Sequence, residues 1–215
     1  MLVSKEVYYQ LLVQNGNTQY AQAISWALKE LNDAGILTPD SLQLLIQNGN
    51  AQYAQAISLV FECLNNAGIL TPENRQLLVQ NGNAQYAQAI FWALDELNNA
   101  GILTTENYQL LVQNDNAQYA SSISLTLKEL NNVGILYQNQ GVLNKILNNP
   151  KNAGNFLNFV QKNRIQITSE NFFSLYEIGA YRRDPSECQG LGSFWKKPQT
   201  VKTHDDNPNF RSFQP

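Results

Sequence analysis

Apolar and polar positions along this chain return in register every 33 residues. The phrase Leu-Leu-(Val/Ile)-Gln begins at Leu11, Leu44, Leu77 and Leu110. Tyr20, Tyr53, Tyr86 and Tyr119 keep the same spacing, as do Gly35, Gly68, Gly101 and Gly134. Gly16, Gly49 and Gly82 mark a second glycine position. A fixed period of this length marks a repeat architecture, whose units bury their apolar faces only by stacking on one another.

Each unit reads as a helical hairpin. In the third unit, Thr71 is a natural N-cap and Pro72 suits the first helical position, where its missing N–H costs nothing. Glu73 faces the positive end of the helix dipole. This short helix carries Leu77, Leu78 and Val79 and is expected to stop at Asn81-Gly82, where a left-handed residue fits. Asn83 is expected to cap the second helix. Ala87, Ile90, Phe91, Leu94 and Leu97 then recur at spacings of three and four, a buried helical stripe. Gly101 ends that helix, and Ile102 is the apolar residue such a cap calls for. In the fourth unit Asp115 stands where the earlier units have Gly; Asp tolerates left-handed geometry better than most residues.

Beyond Leu136 the repeat decays but persists. Ala153 lies 33 residues after Ala120, and Ile167 to Asn171 echoes Ile102 to Asn107. Leu175 and Ile178 end the pattern. The predicted fold is all-α: a right-handed α-solenoid of stacked helical hairpins with a 33-residue period, occupying residues 1–180. Residues 181–215 hold four prolines and no helical period. They read as an irregular or disordered tail, or as an arm lying on the last helices through Phe194, Trp195, Phe210 and Phe213.

Composition sharpens this picture. The chain has 28 Asn and 22 Gln but only 14% charged residues, where about 25% is typical. Amide-rich tracts are often low-complexity, yet 43% hydrophobic content supports a packed core. The amides fall periodically, at the loop Asn-Gly-Asn and the helix-ending Asn-Asn, as caps and solvated turns. The net charge of −3 hides an asymmetry: residues 1–136 hold 4 basic and 11 acidic side chains, and the remainder 10 basic and 6 acidic. The array is therefore a poor binder of polyanions. No apolar run approaches the ~18 residues of a membrane span, and no basic-then-apolar leader opens the chain. Cys63 and Cys188 are the only cysteines and His204 the only histidine, too few and too scattered for a structural zinc site. Cysteines so few suit a reducing compartment. No metal or cofactor is called for.

Catalysis needs a base, and usually a nucleophile, within hydrogen-bond reach. Cys188 and His204, with Asp205 and Asp206 beside the histidine, form the one conceivable pair, and no rigid element surrounds them. No phosphate-cradling glycine loop is present. The chain is thus read as non-enzymatic, with no catalytic residues. Helical-wheel geometry gives a stronger candidate. With Ala87 as origin, Trp92 projects towards the polar side of its helix. The equivalent positions are Trp26, Leu59 and Leu125, so one row reads Trp-Leu-Trp-Leu across the units. Lys29, Glu62, Asp95 and Lys128 run beside it. Either this row is an exposed partner-binding strip, since Trp concentrates binding energy, or it fills the seam between neighbouring units. The repeated tyrosines read as structural, with a ring packed on the next unit and a wet hydroxyl. Arg182, Arg183, Lys196 and Lys197 are too scattered for specific lipid recognition.

The segment LTPENRQLLVQNGNAQYAQAI (70–90) resembles the repeat of TAL-effector DNA-binding arrays, whose base-reading pair would fall at Asn48-Gly49, Asn81-Gly82 and Asn114-Asp115. Those arrays continue with two glycines and Lys-Gln at the phosphates; here Asn83-Ala84-Gln85-Tyr86 follows, without a basic residue. The phrases at Ala34–Asp40, Ala67–Asn74 and Ala100–Asn107, each followed by an amide-rich loop and an Ala-rich helix, resemble helical-repeat proteins of Legionella-type intracellular bacteria. That resemblance covers about 4–180 and implies a scaffold that binds protein, a host protein among the partners; the chain is expected to be a monomer. It also implies type IV secretion, from bacterial cytoplasm to host cytosol, through a C-terminal signal. It implies no shared catalytic residues.

Overall fold

The architecture follows from how each helix starts and stops. The computed structural model describes residues 17–47, 49–113 and 115–181, and every regular element among them is helical. In chain order these are α1 (Ala21–Asp33), α2 (Pro39–Ile46), α3 (Ala54–Asn66), α4 (Pro72–Val79) and α5 (Ala87–Asn99), then α6 (Thr105–Val112), α7 (Ala120–Asn132), α8 (Gln140–Asn148), α9 (Asn152–Lys162) and α10 (Phe172–Tyr181). The four 13-residue helices α1, α3, α5 and α7 begin at residues 21, 54, 87 and 120.

The short helices start at threonine. Thr38, Thr71 and Thr104 accept from the backbone N–H groups of Ser41, Asn74 and Asn107 at 3.1–3.2 Å. Each cap satisfies one of the donors a helix start leaves open. Glu73 and Glu106 sit below the usual carboxylate range, held there by their own backbone N–H and then by the capping threonine hydroxyl. The long helices stop at glycine. Gly101 takes φ +68°, its N–H donates to Asn98 O, and the Ile102 N–H donates to Leu97 O at 3.0 Å. This paired geometry satisfies two terminal carbonyls and turns Ile102 inward, where it is buried. Gly35, Gly68 and Gly134 repeat the arrangement.

The inter-helix loop differs from the sequence expectation. The exit residue of α4, Gln80, is extended, and Asn81 and Gly82 are both left-handed. Asp115 is also left-handed, as expected. Asn83 does not cap α5: the residue before that helix is Tyr86, with no side-chain cap. Instead Asn83 is buried and its Nδ2 donates backward to Leu77 O at 2.9 Å and across to Val112 O at 3.0 Å. Asn116 does the same to Leu110 O and Leu147 O, and Asn50 donates to Leu44 O. These amides close the carbonyl end of the short helix rather than the amide end of the long one. The long helix has no need of them, because a 3-10 turn such as Asn50–Tyr53 or Asn116–Tyr119 feeds directly into it.

Packing runs between successive units: α1 on α3, α3 on α5, α5 on α7, α7 on α9 and α9 on α10. The inner stripe of α5 (Ala87, Ile90, Ala93, Leu94 and Leu97) is wholly buried. Burial of each large aliphatic side chain contributes about 1.5–3 kcal/mol. Phe156, Phe172 and Tyr176 close the last pair, with ring centroids 5.4–5.6 Å apart. Polar bonds fix the register between units. The Tyr108 hydroxyl donates to Asn74 O at 2.7 Å, and Asn107 and Gln140 exchange amide bonds at 2.8–3.0 Å. The repeated tyrosines 20, 53, 86 and 119 are half-buried against the core, one residue before the long helices. No described helix is long and apolar enough to cross a membrane.

Candidate interaction surface

The outer face of each long helix is set by what its inner stripe leaves over. On α5 and the turn before it, Gln85, Gln88, Trp92, Asp95 and Asn99 all lie exposed at spacings of three and four. On α7 the matching residues are Gln118, Ser121, Leu125, Lys128 and Asn132, again all exposed. Two neighbouring helices thus carry the same stripe: polar side chains at both ends, one large apolar side chain, one charge. Trp92 is 51% exposed and Leu125 54%.

The Trp-Leu-Trp-Leu row is not uniform. Trp26 and Leu59 are half-buried, whereas Trp92 and Leu125 stand out. Of the two readings of the row, seam filling describes its first half and exposure its second. The charges beside it divide as well. Lys29 is tied to Asp33 at 2.9 Å within α1, and the bond and charge of Asp33 raise its pKa. Lys128 and Asp95 are exposed, Glu62 half-buried, and none of the three is in an ion pair among the described residues. Cys63 lies close to two of these carboxylates. Burial first, then the charges of Asp95 and Glu62, push its thiol up to about 11. A thiol held protonated in this way is a poor nucleophile.

Cys188, His204, Asp205 and Asp206 lie outside the described residues, as do Arg182, Arg183, Lys196, Lys197 and the aromatic residues of 194–213. Asn48 and Asn114, in the loop pairs of the TAL-like comparison, lie outside them too. Among the described residues no three His, Cys, Asp or Glu side chains gather where they could hold a metal ion.

One residue escaped the sequence reading. Arg75 occupies the repeat position of Leu42 and Tyr108, two of the most buried side chains in the array. The signal that marks it is the column Leu-Arg-Tyr at positions 42, 75 and 108, not the apolar stripe of any one helix.

No family model matches the chain, and neither a curated protein nor a solved structure shows significant similarity to it.

Proposed function

We propose that this chain is a non-enzymatic protein-binding scaffold, a right-handed α-solenoid of helical hairpins whose partner surface lies on the outer faces of α5 and α7. One observation carries the reading: Trp92 and Leu125, 51% and 54% exposed, stand at equivalent positions on packed helices within polar stripes of few charges. Tryptophan concentrates binding energy when a partner covers it, and the neighbouring leucine adds apolar area beside it. The glutamine amides around them both donate and accept, which suits the backbone or polar rim of a protein partner. The half-buried Trp26 and Leu59 continue the row with less surface to offer, so Asp95 and Lys128 are the charges nearest the working end. The Cys63 thiol, held protonated by its surroundings, is a poor nucleophile.

Delivery of the scaffold into a host cell is part of the proposal. It is supported by the phrases at Ala34–Asp40, Ala67–Asn74 and Ala100–Asn107 that resemble the secreted repeat proteins.

The test uses the full chain with a photo-crosslinking residue at position 92, at 125, or at the exposed control position Gln166, incubated in host-cell cytosol. Adducts specific to 92 and 125 are expected. The partner so identified, purified, should bind Trp92→Ala at least about tenfold more weakly than wild type, the lower range for a central aromatic anchor. Equal affinity, with an unchanged helical circular-dichroism spectrum, would rule out this surface.

A further inference from the structure

We infer that the cleft between α2 and α4 is a carboxylate-binding site with Arg75 as its clamp. Three observations converge there. The first is the column already noted: Leu42 is 2% exposed and Tyr108 fully buried, yet the unit between them places an arginine at that position. Arg75 itself is half-buried, with its Nε covered, and covering part of a guanidinium is costly unless its donors find acceptors. Tyr108 reaches back to the preceding unit through its hydroxyl, on Asn74 O. Arg75 makes the corresponding reach through Nη1, which donates to Thr38 Oγ1 at 3.2 Å.

The second observation is what Arg75 lacks. It joins no ion pair among the described residues, and its covered Nε has no hydrogen-bond partner. A guanidinium presents five donors in a planar fork that matches a carboxylate two bonds at a time. One bond to a threonine hydroxyl leaves most of that fork unused.

The third is the space beside it. Arg75 lines a cleft of about 290 Å³. That volume lies just below the range of small-molecule sites, about 300–1,000 Å³, so it suits an acidic side chain or a small acid rather than a cofactor. Leu44 and Pro72 supply apolar wall for a short aliphatic stem. Gln43, Gln47 and Gln76 supply amides that donate to the oxygens or accept from a neighbouring N–H. Asp40, also on the wall, adds a negative charge. It disfavours dianions, so the ligand is a singly charged carboxylate, not a phosphate. The group comes either from a free small acid or from a glutamate or aspartate of a polypeptide. The site is independent of Trp92 and Leu125, and its fate does not decide theirs.

The experiment follows the arginine Nε–Hε resonances of the full chain by NMR, with Arg75 assigned by its loss in Arg75→Gln. The probes are acetate, a capped single glutamate, a capped tripeptide with central glutamate, inorganic phosphate, and sodium chloride as ionic-strength control. A saturable shift of the Arg75 resonance with the carboxylates, weaker with phosphate and absent with chloride, is expected. Tighter binding of the tripeptide than of the single glutamate assigns the site to a polypeptide; equal binding assigns it to a free acid. Arg75→Lys keeps the charge but loses the fork and should weaken binding about tenfold. Asp40→Asn should strengthen carboxylate binding and narrow the margin over phosphate. Arg75→Leu, which restores the residue of the preceding unit, should raise the melting temperature and abolish the calorimetric binding signal. Absence of a saturable Arg75 shift with every carboxylate, or a shift equal to that from chloride, overturns the proposal. Should the Arg75 variants not fold, Gln43→Ala with Gln76→Ala, both at exposed positions, must still weaken acetate binding; unchanged binding there overturns it as well.

Discussion

At the scale of single residues, the buried loop asparagines do the most work for their size. Asn83 serves two backbone carbonyls, one in its own unit and one in the next, whereas Asn50 serves Leu44 O. Asn83→Ala leaves two carbonyls without their donor and should cost about 2–4 kcal/mol; Asn50→Ala should cost about half of that. Thermal or urea unfolding of the two variants checks the ratio, and equal losses would contradict it. The sequence marks Asn83 as the N-cap of the long helix, and the structure instead sets its amide on carbonyls of the short helices. The sequence does not reveal which helix end these asparagines serve, because that depends on a 3-10 turn carrying the chain straight into the long helix. Cys63 gives a second prediction. Its ordinary pKa is about 9 and the folded chain holds it near 11, burial being the larger cause and the carboxylates of Asp95 and Glu62 the smaller. The unfolded thiol therefore loses its proton first as pH rises. The stability it contributes is whole below about pH 9 and is lost as pH climbs to about 11. Burial raises Tyr108 and Tyr176 in the same sense. The melting temperature should fall steadily above pH 9, and less steeply in Cys63→Ala. A flat profile from pH 8 to 11 would show that the thiol is not buried as described.

At the scale of elements, glycine has opposite meanings at two places. Gly101 holds φ +68° with no atom near enough to touch an added methyl, so Gly101→Ala carries backbone strain alone. It should cost about 1–2 kcal/mol, and Gly101→Asn less, since Asn tolerates the left-handed region. Gly141 lies in the first turn of α8 without a positive φ, and a methyl there would meet only ordinary van der Waals contact with Asn139. Gly141→Ala should therefore stabilise by about 0.5–1 kcal/mol. Denaturant midpoints of the two variants must move in opposite directions; a shared direction would refute the assignment of the helix ends. Helix ends were legible in the sequence because threonine, proline and glycine each have a local backbone preference. The outer faces were less so. A helical wheel places Trp26 and Trp92 at one angle, yet one is half-buried and the other half-exposed, because the wheel knows the helix and not its neighbours. Arg75 escaped for the related reason that only a column of equivalent positions, not its own helix, shows it to stand where Leu42 and Tyr108 are core.

At the scale of the whole molecule, charge bears on the class of partner proposed for the array. Residues 1–136 carry 4 basic and 11 acidic side chains. Of the four basic ones, Lys29 is bound to Asp33 and Arg75 lines the α2–α4 cleft. That leaves Lys5 and Lys128, too few to follow a phosphate backbone, and affinity for nucleic acid rests on neutralising several phosphates at once. The loop positions that a TAL-like array would turn to DNA hold Gly49, Gly82 and Asp115, the last of them anionic. The exposed apolar pair at 92 and 125 also has no natural counterpart in a duplex surface. Low charge with exposed apolar anchors is instead the composition of a protein interface, whose centre is depleted in charge. The full chain should therefore show no submicromolar binding to duplex DNA in fluorescence anisotropy at 50 mM salt, and no steep decline of any weak signal at 200 mM. The basic segment beyond residue 136 makes this a demanding test, since its excess of 10 basic over 6 acidic side chains gathers most of the positive charge in the chain. Submicromolar binding that falls steeply with salt in the full chain, and persists when the ten basic side chains beyond 136 are neutralised, would place the phosphate contacts on the array itself and replace the protein-binding reading with a nucleic-acid one.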